Sequence, residues 1–138
     1  MSVIDTNRKL NILVVYKCLG YPLRLTIDEH LYSFLRYSQN ANCYYLRLDS
    51  VKGGPVSKEP MPEYLTKIDF DIIIFHYGFV SSRWAGQQAM NDTIGQVMPL
   101  LNSKAIKAVL TQDEYKNSDM LNDFINKFKI DVVFTLGT

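Results

Sequence analysis

The sequence predicts an α/β domain of the doubly wound, three-layer, Rossmann-like class, with a mostly parallel sheet of about five strands. Three observations carry this. Five short runs are nearly continuous in β-branched and aromatic residues, which is the composition of strands covered on both faces. Segments with helical periodicity separate them. Polar residues gather just after the runs end, where open α/β sheets bind ligands. At 138 residues and 47% hydrophobic content, the chain is the size of one domain able to bury a core.

The first run is "NILVVY" (11–16). "LTIDEHLYSFLRYSQN" follows, with Thr26 and Glu29 spaced as a capping box and with Ile27, Leu31, Phe34, Leu35 and Ser38 on one helical face. "CYYLRL" (43–48) is the second strand. The next stretch, "DSVKGGPVSKEPMPEY", holds two glycines and three prolines and reads as a loop leading to a short helix at Glu63 to Lys67. "DIIIFHY" (71–77) is the third strand. The apolar positions Met90, Ile94, Val97, Met98 and Leu101 mark a helix that Pro99 should kink or restart, because proline removes a backbone donor. "IKAVL" (106–110) is the fourth strand. In "SDMLNDFINKFK", Ser118 is the expected N-cap, Met120, Leu121, Phe124, Ile125 and Phe128 face inward, and Lys127 and Lys129 complement the helix dipole. "DVVFTL" (131–136) is the fifth strand. Right-handed crossovers then suggest the strand order 3-2-1-4-5.

Composition removes several function classes. Fifteen basic and fourteen acidic residues are scattered along the chain for a net charge of +1, so no basic face for nucleic acid or polybasic membrane anchor is visible. The apolar runs are shorter than the roughly 20 residues of a membrane-spanning helix. "MSVIDTNRKL" lacks the apolar segment of a signal peptide, so the expected location is cytoplasmic. Cys18 and Cys43 have no metal-ligand spacing and read as reduced thiols, and no metal or cofactor is expected. "VVYKCLGYPLR" after the first strand carries neither the dinucleotide fingerprint nor a Walker loop. It is not a flavodoxin-type Ser/Thr phosphate loop, and Tyr16-Lys17 and His76-Tyr77 stand where a phosphorylation receiver needs acids.

The candidate rim is formed by Lys17, Cys18, Gly20, Tyr21 and Arg24 after strand one, His76, Tyr77, Ser81, Ser82, Arg83 and Trp84 after strand three, Thr111, Gln112, Asp113, Glu114 and Tyr115 after strand four, and Thr135 after strand five. Several of these have two readings. Asp113 and Glu114 fit either a ligand rim or a solvated turn, and their adjacency argues against a two-carboxylate acid/base pair. His76 fits either a base or a hydrogen-bonded structural residue. Arg83 suits an anionic ligand or a neighbouring acid. The tyrosines offer flat faces with polar tips, suited to sugars and equally to sealing a core edge.

"NILVVY", "FDIIIFHYGFVSSRW" and "IKAVLTQDEY", followed by a helix and "IDVVFTLGT", together resemble the N-terminal Rossmann-like domain of bacterial glycosyltransferases of the two-domain GT-B fold. The resemblance covers most of the chain as topology, and its motif-like parts are "HY" and "QDEY". It implies an acceptor-side domain in cell-surface or exopolysaccharide assembly, partnered by a C-terminal domain that binds the nucleotide sugar. It also places His76 facing the donor sugar or the reacting hydroxyl, as the candidate catalytic residue, with the 112–115 segment facing the cleft. The glycine-rich loop of many relatives is reduced here to Gly20.

The last strand run ends two residues before Thr138, where a doubly wound domain ordinarily adds a closing helix. Residues 1–138 therefore read as a single domain, the N-terminal part of a longer two-domain protein. The alternative is a stand-alone α/β module that binds a small ligand or a protein without catalysis.

Overall fold

A computed structural model describes residues 8–18, 25–49 and 61–135. Strands β1 (Leu10–Cys18), β2 (Ala41–Asp49), β3 (Ile72–Phe75), β4 (Ile106–Leu110) and β5 (Val132–Phe134) form one sheet in the order β2-β1-β3-β4-β5. Every adjacent pair is parallel. Helices are α1 (Leu25–Tyr37), α2 (Tyr77–Val80), α3 (Gln87–Gln96), α4 (Met98–Leu101) and α5 (Ser118–Lys127), with 3₁₀ turns at Glu63–Lys67 and Ser81–Ala85.

The doubly wound parallel class is the one the sequence predicts. In the observed order β3 lies between β1 and β4, rather than outside β2 as in 3-2-1-4-5. Burial explains the placement. Ile73, Ile74 and Phe75 are buried on both faces, so β3 belongs in the interior, whereas β2 exposes Asn42 and Arg47 and tolerates an edge. The order reverses between β1 and β3, and their carboxyl ends define the crevice at the switch point. Gly78 sits in that crevice, where a Cβ would come within 3.0 Å of the Lys17 carbonyl oxygen.

The sheet divides two apolar clusters. Leu13, Val15, Ile73, Phe75 and Val109 face Phe79, Met90, Leu100, Leu121 and Phe124 on one side. Ile12, Val14, Tyr16, Ile74 and Ala108 face Leu31 on the other, where α1 is the one helix packed among the described residues. Val132 and Phe134, in register with Ala108 and Leu110, lie on that second side and remain 39% and 56% exposed.

Several local expectations hold and some shift. The helix carrying Pro99 does break: α3 ends at Gln96, Val97 leaves helical geometry, and α4 restarts with the proline in its first turn. Helix α1 opens at Leu25, which puts Thr26 inside the first turn rather than ahead of it as a capping box needs. Leu35, expected to face inward, is 56% exposed, because the single α1 stripe through Ile27, Leu31 and Phe34 already covers the sheet. The N-cap of α5 is Asn117, in left-handed conformation and making no side-chain cap bond, with Ser118 as the first helical residue. Among the described residues no helix is long and apolar enough to cross a membrane, and no group of three His, Cys, Asp or Glu side chains could hold a metal ion.

Candidate functional site

The predicted rim residues separate onto the two sides of the sheet. Alternate residues of a strand point to opposite faces, and at the end of β1 this parity decides where Lys17 lies, whereas Tyr77 opens a helix and leaves the parity of β3. Lys17 follows Leu13 and Val15 onto the α3 side, where its Nζ donates to Ser82 Oγ at 3.4 Å. Ser82 and Thr93 are buried there with their hydroxyl oxygens 3.0 Å apart, and burial lowers the Lys17 pKa. This lysine anchors a buried hydroxyl pair instead of standing on an open rim.

Arg83 is the larger departure from expectation. It is fully buried at 0% exposure, and its guanidinium bonds run to backbone carbonyls. Its Nη1 donates to the Val80 carbonyl at 2.9 Å, Nε to Lys116 at 2.9 Å, and Nη2 to Gln112 at 3.1 Å and Asp113 at 3.0 Å. Asn117 Nδ2 returns a 2.7 Å bond to the Arg83 carbonyl, which is why this cap residue leaves the α5 amides uncapped. Burial lowers the guanidinium pKa and the charges of Glu114 and Asp113 oppose the shift, yet arginine stays ionised in either case. As a substrate-rim residue Arg83 is therefore corrected: its donors are consumed by backbone.

The segment 112–115 takes its shape from that clamp. Asp113 and Asn117 both have φ of 51°, a conformation that asparagine and aspartate tolerate better than other non-glycine residues. Glu114 turns back to accept the Thr111 hydroxyl at 2.5 Å. Asp113 is exposed, Gln112 is half-buried, and Tyr115 is 82% exposed. The two acids thus diverge, as their adjacency implies. Gly20, Tyr21 and Arg24 lie outside the described residues.

His76 N-caps α2, its Nδ1 accepting the Gly78 N–H at 3.3 Å. The proton of the neutral ring is then on Nε2, which is buried with no hydrogen-bond partner among the described residues. Burial, with a smaller contribution from neighbouring His30, pushes the His76 pKa down to about 4. At 1% exposure it offers no surface to an acceptor, and its ring lies 3.9 Å from that of Tyr77. This geometry makes His76 a support for Tyr77.

Tyr77 reaches the α1 side, where the edge of the His30 ring meets it at 5.7 Å. The two residues share a cleft of about 210 Å³ with Ser33 and Phe34 of α1, Thr111 after β4, and Phe134 and Thr135 at the end of β5. Of the predicted rim residues, Tyr77, Thr111 and Thr135 line this cleft, and Glu114 acts on it through Thr111. His30, Ser33 and Phe34 were not anticipated. Their i, i+3, i+4 spacing puts an imidazole and a hydroxyl on the same helical face as an inward aromatic, and that was the available signal. The arrangement pairs aromatic faces with short polar groups at the carboxyl edge of the sheet.

Comparisons of the chain with protein-family models, with curated proteins and with solved structures find no match.

Proposed function

We propose that the chain is the acceptor-side domain of a two-domain sugar transferase, inactive without a second domain that binds the nucleotide sugar. The observation that carries this reading is the cleft beside α1. Its walls alternate flat aromatic surface from Tyr77, Phe34 and Phe134 with the hydroxyls of Ser33, Thr111 and Thr135, a combination suited to a sugar ring. At about 210 Å³ it is smaller than the roughly 300–1,000 Å³ of complete small-molecule sites. A second body closing over the exposed Phe134 side would complete it. The "HY" and "QDEY" segments add the family resemblance.

In this reading His30, the imidazole that lines the cleft, takes the proton from the acceptor hydroxyl. The acceptor oxygen then bonds to the anomeric carbon of the donor, whose bond to phosphate breaks with departure of the nucleoside diphosphate. His76 and Glu114 are positioning residues, acting through Tyr77 and Thr111.

The test has two parts. The polypeptide made by the native host, detected with an antibody to this domain, is expected well above 15.9 kDa and should transfer sugar from a nucleotide donor. In that protein His30→Ala should lower turnover by about 10²–10⁴-fold. Saturation-transfer NMR on residues 1–138 should show contacts with sugars and none with nucleoside diphosphates. A native product of 15.9 kDa without transfer activity overturns the transferase reading and leaves a binding module; nucleotide contacts in place of sugar contacts overturn the acceptor-side assignment.

A further inference from the structure

At the opposite end of the sheet, below the amino ends of β4 and β5, lies a second cavity of about 400 Å³. Ser103, Lys104, Lys107, Lys129 and Asp131 supply its polar wall, and Ala105 and Ile106 its apolar one. The stem of Lys107 is buried, the residue as a whole being 8% exposed, while its ammonium group keeps access to solvent. Among the described residues none of these three lysines has an ion-pair partner. The single carboxylate, Asp131, is turned to the strand, where its Oδ2 accepts the Lys107 backbone N–H at 2.9 Å. The cavity therefore has two more positive than negative side chains.

Compensation of the α5 dipole does not explain this surplus. Lys127 already occupies the last turn of α5, and the dipole's influence fades within that turn. Lys129 stands beyond the helix, at φ of 52°, while Lys104 and Lys107 belong to the chain entering β4. Ser103 adds a donor, since its Oγ accepts the Ala105 N–H at 3.4 Å and leaves the hydroxyl proton to point elsewhere.

We infer that this cavity is an anion-binding site for a phosphate ester, separate from the cleft beside α1. Ammonium groups act as point charges well suited to phosphate oxygens. The volume falls within the range of complete small-molecule sites, which favours an ester whose organic part rests on Ala105 and Ile106 over a bare ion. A soluble phosphate ester and a phospholipid headgroup present the same chemistry here.

The test uses residues 1–138 labelled with ¹⁵N and titrated with glycerol 3-phosphate at constant ionic strength. Saturable shifts are expected at the amides of Ser103, Lys104, Lys107 and Lys129. Lys104→Gln and Lys129→Gln should each weaken binding about threefold or more, and the double variant about tenfold or more. Both residues are exposed, so these variants fold even if Lys107→Met does not. Lys67→Gln, exposed and outside the cavity lining, should bind as the parent does. Co-sedimentation with phosphatidylglycerol vesicles that the double variant loses would identify the lipid source, and its absence alongside saturable ester binding the soluble one. Linear, unsaturable shifts overturn the inference, as do shifts unchanged in the double variant.

Discussion

Arg83 and Asp113 meet through a 3.0 Å hydrogen bond from a guanidinium Nη2 to a backbone carbonyl, at a residue whose φ is 51°. The buried charge of Arg83 thus holds the loop after β4 by its main chain, so the side chains of that loop are placed without themselves being held. Glu114 and Asn117 are the exceptions, fixed by the Thr111 hydroxyl and the Arg83 carbonyl.

Removing that guanidinium leaves the carbonyls of Val80, Gln112, Asp113 and Lys116 without these partners in a closed site. Arg83→Ala should lower unfolding free energy by about 3–5 kcal/mol, the scale of breaking a buried charged network. Arg83→Lys should recover only part, because a single ammonium cannot span acceptors arranged for a planar fork. Urea denaturation measures both. A loss below about 1 kcal/mol for the alanine variant would mean the loop keeps its shape by other contacts.

His76 should make stability depend on pH. Its folded pKa of about 4 lies below the ordinary 6.5, so the unfolded chain binds the proton more readily between those values. The contribution is complete above pH 6.5 and is lost as pH falls through about 4, amounting to roughly 3 kcal/mol. Asp71, held below its usual 3.8 by the hydrogen bond from Arg8, keeps its contribution until the pH falls below that value, so the two windows separate. His76→Asn retains a cap acceptor for the Gly78 N–H and cannot titrate. Unfolding free energies from pH 4 to 7 should show a flatter curve for the variant, and identical slopes would remove His76 as the cause.

Phe134 contributes exposed apolar surface where β5 lacks a covering helix among the described residues. Phe134→Lys should change stability by no more than about 0.5 kcal/mol, since the side chain is already largely in water. It should reduce binding of a hydrophobic dye and any self-association seen by sedimentation. A large destabilisation would show instead that the ring seals the core.

Much of the fold was legible because its signals are local. The continuous apolar runs of β1, β3 and β4, the stripe of Leu121, Phe124 and Phe128 in α5, and the break at Pro99 each depend on residues close together in the chain. The strand order was less so, since β2 and β3 are both apolar and only the polar positions Asn42 and Arg47 hint at which one tolerates an edge. At the site, Tyr77, Thr111 and Thr135 were legible as residues after strands, whereas His30 and Ser33 sit in a helix read for its apolar face.

The sequence by itself determined the parallel α/β class, the five strand segments, the longer helices α1, α3 and α5, and the carboxyl rim as the place where polar side chains accumulate, because burial and periodicity are written in neighbouring residues. The short helix at Tyr77–Val80 was not among them, since it opens on the last residue of the run read as strand three. The tertiary structure decided which of those side chains meet. It kept Lys17 on the side of Leu13 and Val15 through the alternation of side-chain direction along β1, while the helical turn that opens at Tyr77, breaking the parity of β3, carried that ring to the α1 side. It also decided what Arg83 binds: every residue carries a backbone carbonyl, so acceptors of that kind leave no mark in the sequence until folding brings them around a buried charge.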